Sequence, residues 1–110
     1  MKIAIFEDNL IWSGRFKIAT KSVGHEPAVF TQVVNDLEDY DVAIVNLGSK
    51  AYDVTELIPK LQEMGIKVLA HAGHKEKNLL EIARNCKADR IATNGEITHK
   101  LPQILIEMTS

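Results

Sequence analysis

Residues 42–48, VAIVNLG, decide how the rest of the chain is read. The run carries no charge and is apolar up to Asn46, after which Leu47 and Gly48 lead away. That is the pattern of a strand buried on both faces and running directly into a loop. In an open parallel sheet, the residue at the carboxyl end of such a strand stands where ligands and chemistry are found. An aspartate there would suggest a nucleophile or a metal ligand. This chain has the neutral amide of Asn46 instead.

Outward from that strand the chain alternates in character. Upstream, KIAIF (2–6) is a β-branched run, and LIWSGRFKIATKSV (10–23) carries Trp12, Phe16, Ala19 and Val23 at helical spacing before Gly24. PAVF (27–30) predicts a weak strand, TQVVNDLED (31–39) a short helix, and DVAIVN (41–46) the strong strand. Downstream, VTELIPKLQEMG (54–65) predicts a helix with Leu57, Leu61 and Met64 in line, its Pro59 early enough to be tolerated. IKVLAHA (66–72) follows as a strand. EKNLLEIARNCK (76–87) predicts a helix with Leu79, Ile82, Ala83 and Cys86 on its core face. RIAT (90–93) is a last strand, and EITHKLPQILIEM (96–108) aligns Ile97, Leu101, Ile104, Leu105 and Met108. Strand and helix alternate five times, which implies right-handed βαβ crossovers and a parallel sheet covered on both faces. The expected fold is a single α/β domain over residues 1–110, doubly wound and flavodoxin-like, with strand order 2-1-3-4-5.

Composition narrows the function. Thirteen basic and fifteen acidic residues leave a net charge of −2, with no electrostatic footprint for nucleic acid or an anionic membrane. The single cysteine, Cys86, excludes an intramolecular disulfide and any CxxC site; on the core stripe of its helix it reads as a small hydrophobe. The N-terminal apolar run is broken by Glu7 and Asp8, so it is neither a signal peptide nor a span, and a cytoplasmic location is expected. The loop after the first strand, EDNLIW, has no GxGxxG and no phosphate cradle, which leaves dinucleotide or flavin binding without support. No serine or cysteine sits at a strand-to-helix elbow.

What that loop does contain is the acidic pair Glu7 and Asp8, and here the chain resembles the receiver domains (CheY-like) of two-component response regulators. IAIFEDNLIW with the later VGH is similar to a receiver's opening, and YDVAIVNLG to its third strand and phosphoacceptor loop. KVLAHAGH resembles the fourth strand, and ADRIATNGE the fifth. The resemblance implies that Asn46 stands where the phosphorylated aspartate would be, Ala72 where a hydroxyl would be, and Asn94 where the lysine would be. An amide cannot form an acyl phosphate, a methyl group cannot contact the phosphoryl oxygens, and Asn94 brings no charge. Of the degenerate pocket Glu7, Asp8, Asn46, Ala72 and Asn94, only the acidic pair keeps its character. The expectation is a pseudo-receiver: a stand-alone signalling module that acts by phosphorylation-independent protein–protein interaction and is not an enzyme.

Several readings stay open beside it. Glu7 and Asp8 could hold Mg²⁺ weakly or form a solvated helix N-terminus. Asn46 could contact a ligand or cap its own loop. A small-ligand sensor using the degenerate cleft, or a metal-dependent enzyme using His71, His74, Glu7 and Asp8, are the alternatives. The alternation of an extended segment turns His71 away from Ala72, toward a helix layer, with His74 exposed. Leu10 and Ile11 could close the cleft or receive an apolar partner, while Trp12 packs inward.

A partner or a second copy is expected on the face formed by helix 76–87, strand 90–93 and helix 96–108. Leu80 lies off the core stripe there, with Arg84 and Arg90 nearby, and His99, Pro102 and Ile106 form a second stripe at i, i+3, i+7.

Overall fold

The structure is a computed structural model that describes residues 1–32 and 36–110. Val42–Asn46 is a strand, β3, whose first four residues are buried. It lies third in chain order and at the centre of the sheet. Before it come β1 (Lys2–Phe6), helix α1 (Leu10–Ser22) and β2 (Glu26–Phe30); after it come α2 (Val54–Glu63), β4 (Lys67–Ala72), α3 (Lys77–Asn85), β5 (Arg90–Thr93) and α4 (Asn94–Thr109). The five strands are parallel, as the crossovers imply, and ordered β2-β1-β3-β4-β5, the order expected from the sequence.

The alternation of strand side chains splits the interior in two. Ala4, Phe6, Ala43, Val45, Val68, Ala70 and Ala72 face one layer, where Leu57, Ile58 and Leu61 of α2 and Leu80 and Ala83 of α3 cover them. Ile3, Ile5, Val42, Ile44 and Leu69 face the other, under Phe16 of α1 and Ile97, Leu101, Ile104 and Leu105 of α4. The central strands show almost no solvent exposure, which is why their sequence carries no polar alternation.

Helix boundaries follow their caps. Asn9 accepts from the backbone N–H of Ile11 and Trp12, starting α1, and Gly24 beyond its end takes φ +82. Asp53 caps α2. Thr93 and Glu96 form a capping box, so α4 begins at Asn94, two residues earlier than the periodicity predicts. Part of the helix predicted over 31–39 lies outside the described residues, at 33–35. Of the remainder, Thr31 and Gln32 form a bend and Glu38 and Asp39 a turn, and Leu37 is buried beneath the α2 side of the sheet. No helix among the described residues is long and apolar enough to cross a membrane.

Candidate functional site

Continuing the alternation past the strand ends builds the site. Glu7 follows Ile3 and Ile5 in phase, Asn46 follows Val42 and Ile44, and His71 follows Leu69, so all three belong to the α1–α4 side. Asn46 is paired with His71 across β3 and β4. Asn94, at the start of α4, closes the group.

Glu7 is 1% exposed. It is therefore not the solvated helix terminus considered from the sequence. The Asn46 side-chain nitrogen donates to its two oxygens at 3.0 and 2.9 Å, and the Asn9 backbone N–H adds a third bond at 3.2 Å. Burial raises the Glu7 pKa, and these donors oppose the shift by favouring the charged form. The other end of the Asn46 amide accepts from the Gly48 N–H at 2.9 Å. Asn46 thus caps its own loop, as one sequence reading has it, and also reaches across to the first strand.

His71 is buried against Trp12, in a stacked arrangement at 6.3 Å, and edge-on to Phe16 at 5.3 Å. Its Nδ1 donates to Asn94 Oδ1 at 2.8 Å. Its Nε2 has no hydrogen-bond partner and lies 3.8 Å from Glu7 Oε1. Burial lowers the imidazole pKa, partly offset by the Asn94 bond, so the neutral form is favoured. The sequence places His71 in the helix layer and away from the cleft. The first half holds; the second does not, because Glu7 points into that same layer.

The remaining predicted residues separate from this group. Asp8 and His74 are exposed, and Ala72 is packed in the opposite core. No cluster of three or more His, Cys, Asp or Glu side chains that could hold a metal occurs among the described residues. The Mg²⁺ ion implied by a receiver fold does not fit the Glu7–Asp8 pair, since the oxygens of Glu7 already accept three N–H bonds and Asn46 turns a donor toward them. Cavities of about 290 and 300 Å³ open at the other ends of the strands, around Lys67 and Met108.

Two contributors are not evident in the sequence reading. The Tyr52 hydroxyl lies 2.6 Å from the Phe6 carbonyl and 3.0 Å from that of Asn46, tying the ends of β1 and β3; burial pushes its pKa up. Glu76 accepts from the Gly73 N–H at 2.9 Å, and its carboxylate reaches to 3.9 Å from the Cβ position of Gly48. It therefore spans the loops after β3 and β4. An acid three residues after a strand-end glycine is the signal that could have found it.

The surface predicted around α3, β5 and α4 needs one correction. Leu80 is only 8% exposed and belongs to the core with Ala83. Helix α3 lies over both β4 and β5, so its buried arc widens from Ile82 through Leu79 and Ala83 to Leu80. Arg84 pairs with Glu81 at 2.8 Å and Arg90 with Glu107 at 3.6 Å, both within the chain. His99 is exposed and Pro102 half-buried; Ile106 is 48% exposed.

No family model matches this chain, and neither does any curated protein sequence. Solved structures do. A DNA-binding response regulator of the LuxR family from Staphylococcus aureus superposes with a TM-score of 0.81 at 16% identity, covering 99% of this chain and 98% of that one. A CheY-like response regulator receiver domain protein from Methanospirillum hungatei gives 0.75 at 18% identity, covering 98% and 95%. An orphan response regulator of H. pylori gives 0.77 at 16%, covering 98% and 96%. The chain therefore has the receiver-domain, flavodoxin-like fold expected from its sequence.

Proposed function

We propose that this protein is a receiver-fold signalling module that acts by non-covalent protein contact, without phosphoryl transfer to residue 46. One observation carries the reading: the Asn46 amide nitrogen is a donor held against both oxygens of Glu7. A phosphoryl acceptor at that position must be a carboxylate with a free lone pair, and an amide nitrogen has none to give. Ala72 offers no hydroxyl to sense a phosphoryl group, and the Asn94 side chain is bonded to His71. The amide–carboxylate contact also holds the ends of β1 and β3 together in one arrangement, so regulation through this protein works by occupancy of its surface. Neither a metal nor a reaction is required.

The test is intact-protein mass after incubation with acetyl phosphate and Mg²⁺. The expected result is an unchanged mass. A stable single-phosphate adduct would overturn the proposal.

A further inference from the structure

Hydrogen bonds between side chains run through the interior from the loop after β3 to the start of α4, with one interruption. The Gly48 N–H donates to Asn46 Oδ1 at 2.9 Å, and Asn46 Nδ2 donates to both oxygens of Glu7. At the far end, His71 Nδ1 donates to Asn94 Oδ1 at 2.8 Å. Between these halves lies a gap of 3.8 Å, from Glu7 Oε1 to His71 Nε2.

Both atoms at the gap are acceptors. With its hydrogen on Nδ1, the imidazole turns a lone pair outward at Nε2, and the carboxylate oxygen turns another toward it. Like lone pairs repel, which accounts for two buried polar groups facing one another without a bond. Glu7 and His71 are each 1% exposed, so neither has bulk water as a partner, and Nε2 has none in the protein. In line, the gap is too short for a water, which needs about 2.8 Å to each neighbour. A hydrogen fits it.

We propose that Glu7 and His71 form a buried site for one proton, held on Glu7 Oε1 and donated to His71 Nε2. A proton from solvent forms the O–H bond, no covalent bond breaks, and the charge of the pair goes from −1 to zero. Oε1 gives up its Asn46 bond, while Oε2 keeps Asn46 at 2.9 Å and the Asn9 N–H at 3.2 Å, so β1 and β3 stay joined. The new bond ties β1 to β4 and, through Asn94, to α4. The bound proton therefore stiffens the corner where β1, β4 and α4 meet, and pH becomes an input to the surface above it.

The surroundings direct the proton to the oxygen. Burial raises the Glu7 carboxyl above its ordinary 4.5 and lowers the imidazole, which favours the acid beside a neutral ring. Among the described residues, the other titratable groups facing the pair are Asp8, whose like charge raises Glu7 further, and the Tyr52 hydroxyl from the loop before α2. The remaining elements bring uncharged groups: Trp12 and Phe16 of α1, Phe30 of β2, Asn46 of β3, Ala92 of β5 and Asn94 of α4. Leu10, Ile11 and Ile18 turn outward on α1, so Trp12 and Phe16 alone supply that helix's roof over His71.

The experiment is an NMR titration of the ¹³C,¹⁵N-labelled full chain from about pH 8 to 4.5. The Glu7 carboxyl carbon and the amides of Asn9, Gly48 and Asn94 are expected to move with one midpoint, above 4.5. His71 Nε2 should gain no hydrogen of its own there, and Trp12 fluorescence should persist, since a stacked imidazolium would quench it. Glu7→Gln carries the bridging hydrogen permanently on its amide. Its Asn9, Gly48 and Asn94 amides should lie at pH 7.5 where those of the parent lie at the acid end. In His71→Gln the new amide can donate to ionised Glu7, so the Glu7 midpoint should fall by at least about half a pH unit. The proposal is overturned if Glu7 titrates at or below 4.5, or if His71 becomes an imidazolium and quenches Trp12 at the shared midpoint. It is equally overturned if Glu7→Gln keeps the high-pH spectrum of the parent, or if His71→Gln leaves the Glu7 midpoint in place. The mass measurement at Asn46 is independent of every one of these results.

Discussion

The side-chain nitrogen of Asn46 lies within 3.0 Å of both carboxylate oxygens of Glu7, joining the end of the central strand to that of its neighbour inside the protein. A donor at residue 46 is thus part of what holds the two strand ends together.

Replacing that donor with an acceptor reverses the interaction. Asn46→Asp sets a second carboxylate against the buried Glu7 and should lower stability by about 2–4 kcal/mol at pH 7.5. The loss should shrink toward pH 5, where one of the two groups takes up a proton and donates to the other. The variant would also hold three carboxylates within reach of a hard cation, so about 10 mM Mg²⁺ should recover part of the loss while leaving the parent protein unchanged. Urea midpoints with and without Mg²⁺ at both pH values decide this. An unchanged midpoint at pH 7.5 would show that the amide bond contributes nothing.

His71 makes stability depend on pH. Its folded-state pKa lies below the ordinary value of 6.5, so as pH falls past that point the unfolded chain binds a proton that the native protein refuses. Stability therefore falls on acidification, by at most about 1.4 kcal/mol per pH unit from this one group. Glu7 acts in the opposite sense at lower pH: its raised pKa means that the native state takes a proton first, and stability is regained as pH falls from that pKa toward 4.5. His71→Gln should flatten the decline between pH 7 and 5.5 in thermal or urea unfolding. A decline of the same slope in the variant would assign it to other groups.

The two apolar residues expected to share a binding face should behave differently. Leu80→Ala removes a buried side chain and should cost about 2–4 kcal/mol, whereas Ile106→Ala on the exposed side of α4 should stay within about 0.5 kcal/mol of the parent. Chemical denaturation of both variants is the measurement. A near-neutral Leu80→Ala would return Leu80 to the surface.

The sequence alone determined the order of the strands, the parallel sheet and the identity of residue 46. Those follow from local periodicity, from a cap such as Gly24, and from the handedness of crossovers, all carried by short stretches of chain. Strand alternation even held the site, since Ile3, Ile5 and Glu7 keep one phase, as do Val42, Ile44 and Asn46. Only the tertiary structure decided what that phase meant. Whether Glu7 is solvated or sealed depends on Asn46, thirty-nine positions away, and on Trp12 and Phe16 roofing the adjacent His71. Leu80 shows the same limit: periodicity finds an apolar stripe, but the rotation of a helix about its axis is set by the sheet beneath it. Exposure is likewise a property of the assembled layers. That is why Ile11 and Ile18 on the outer line of α1 are visible as a surface only once α4 and the sheet have taken the opposite side.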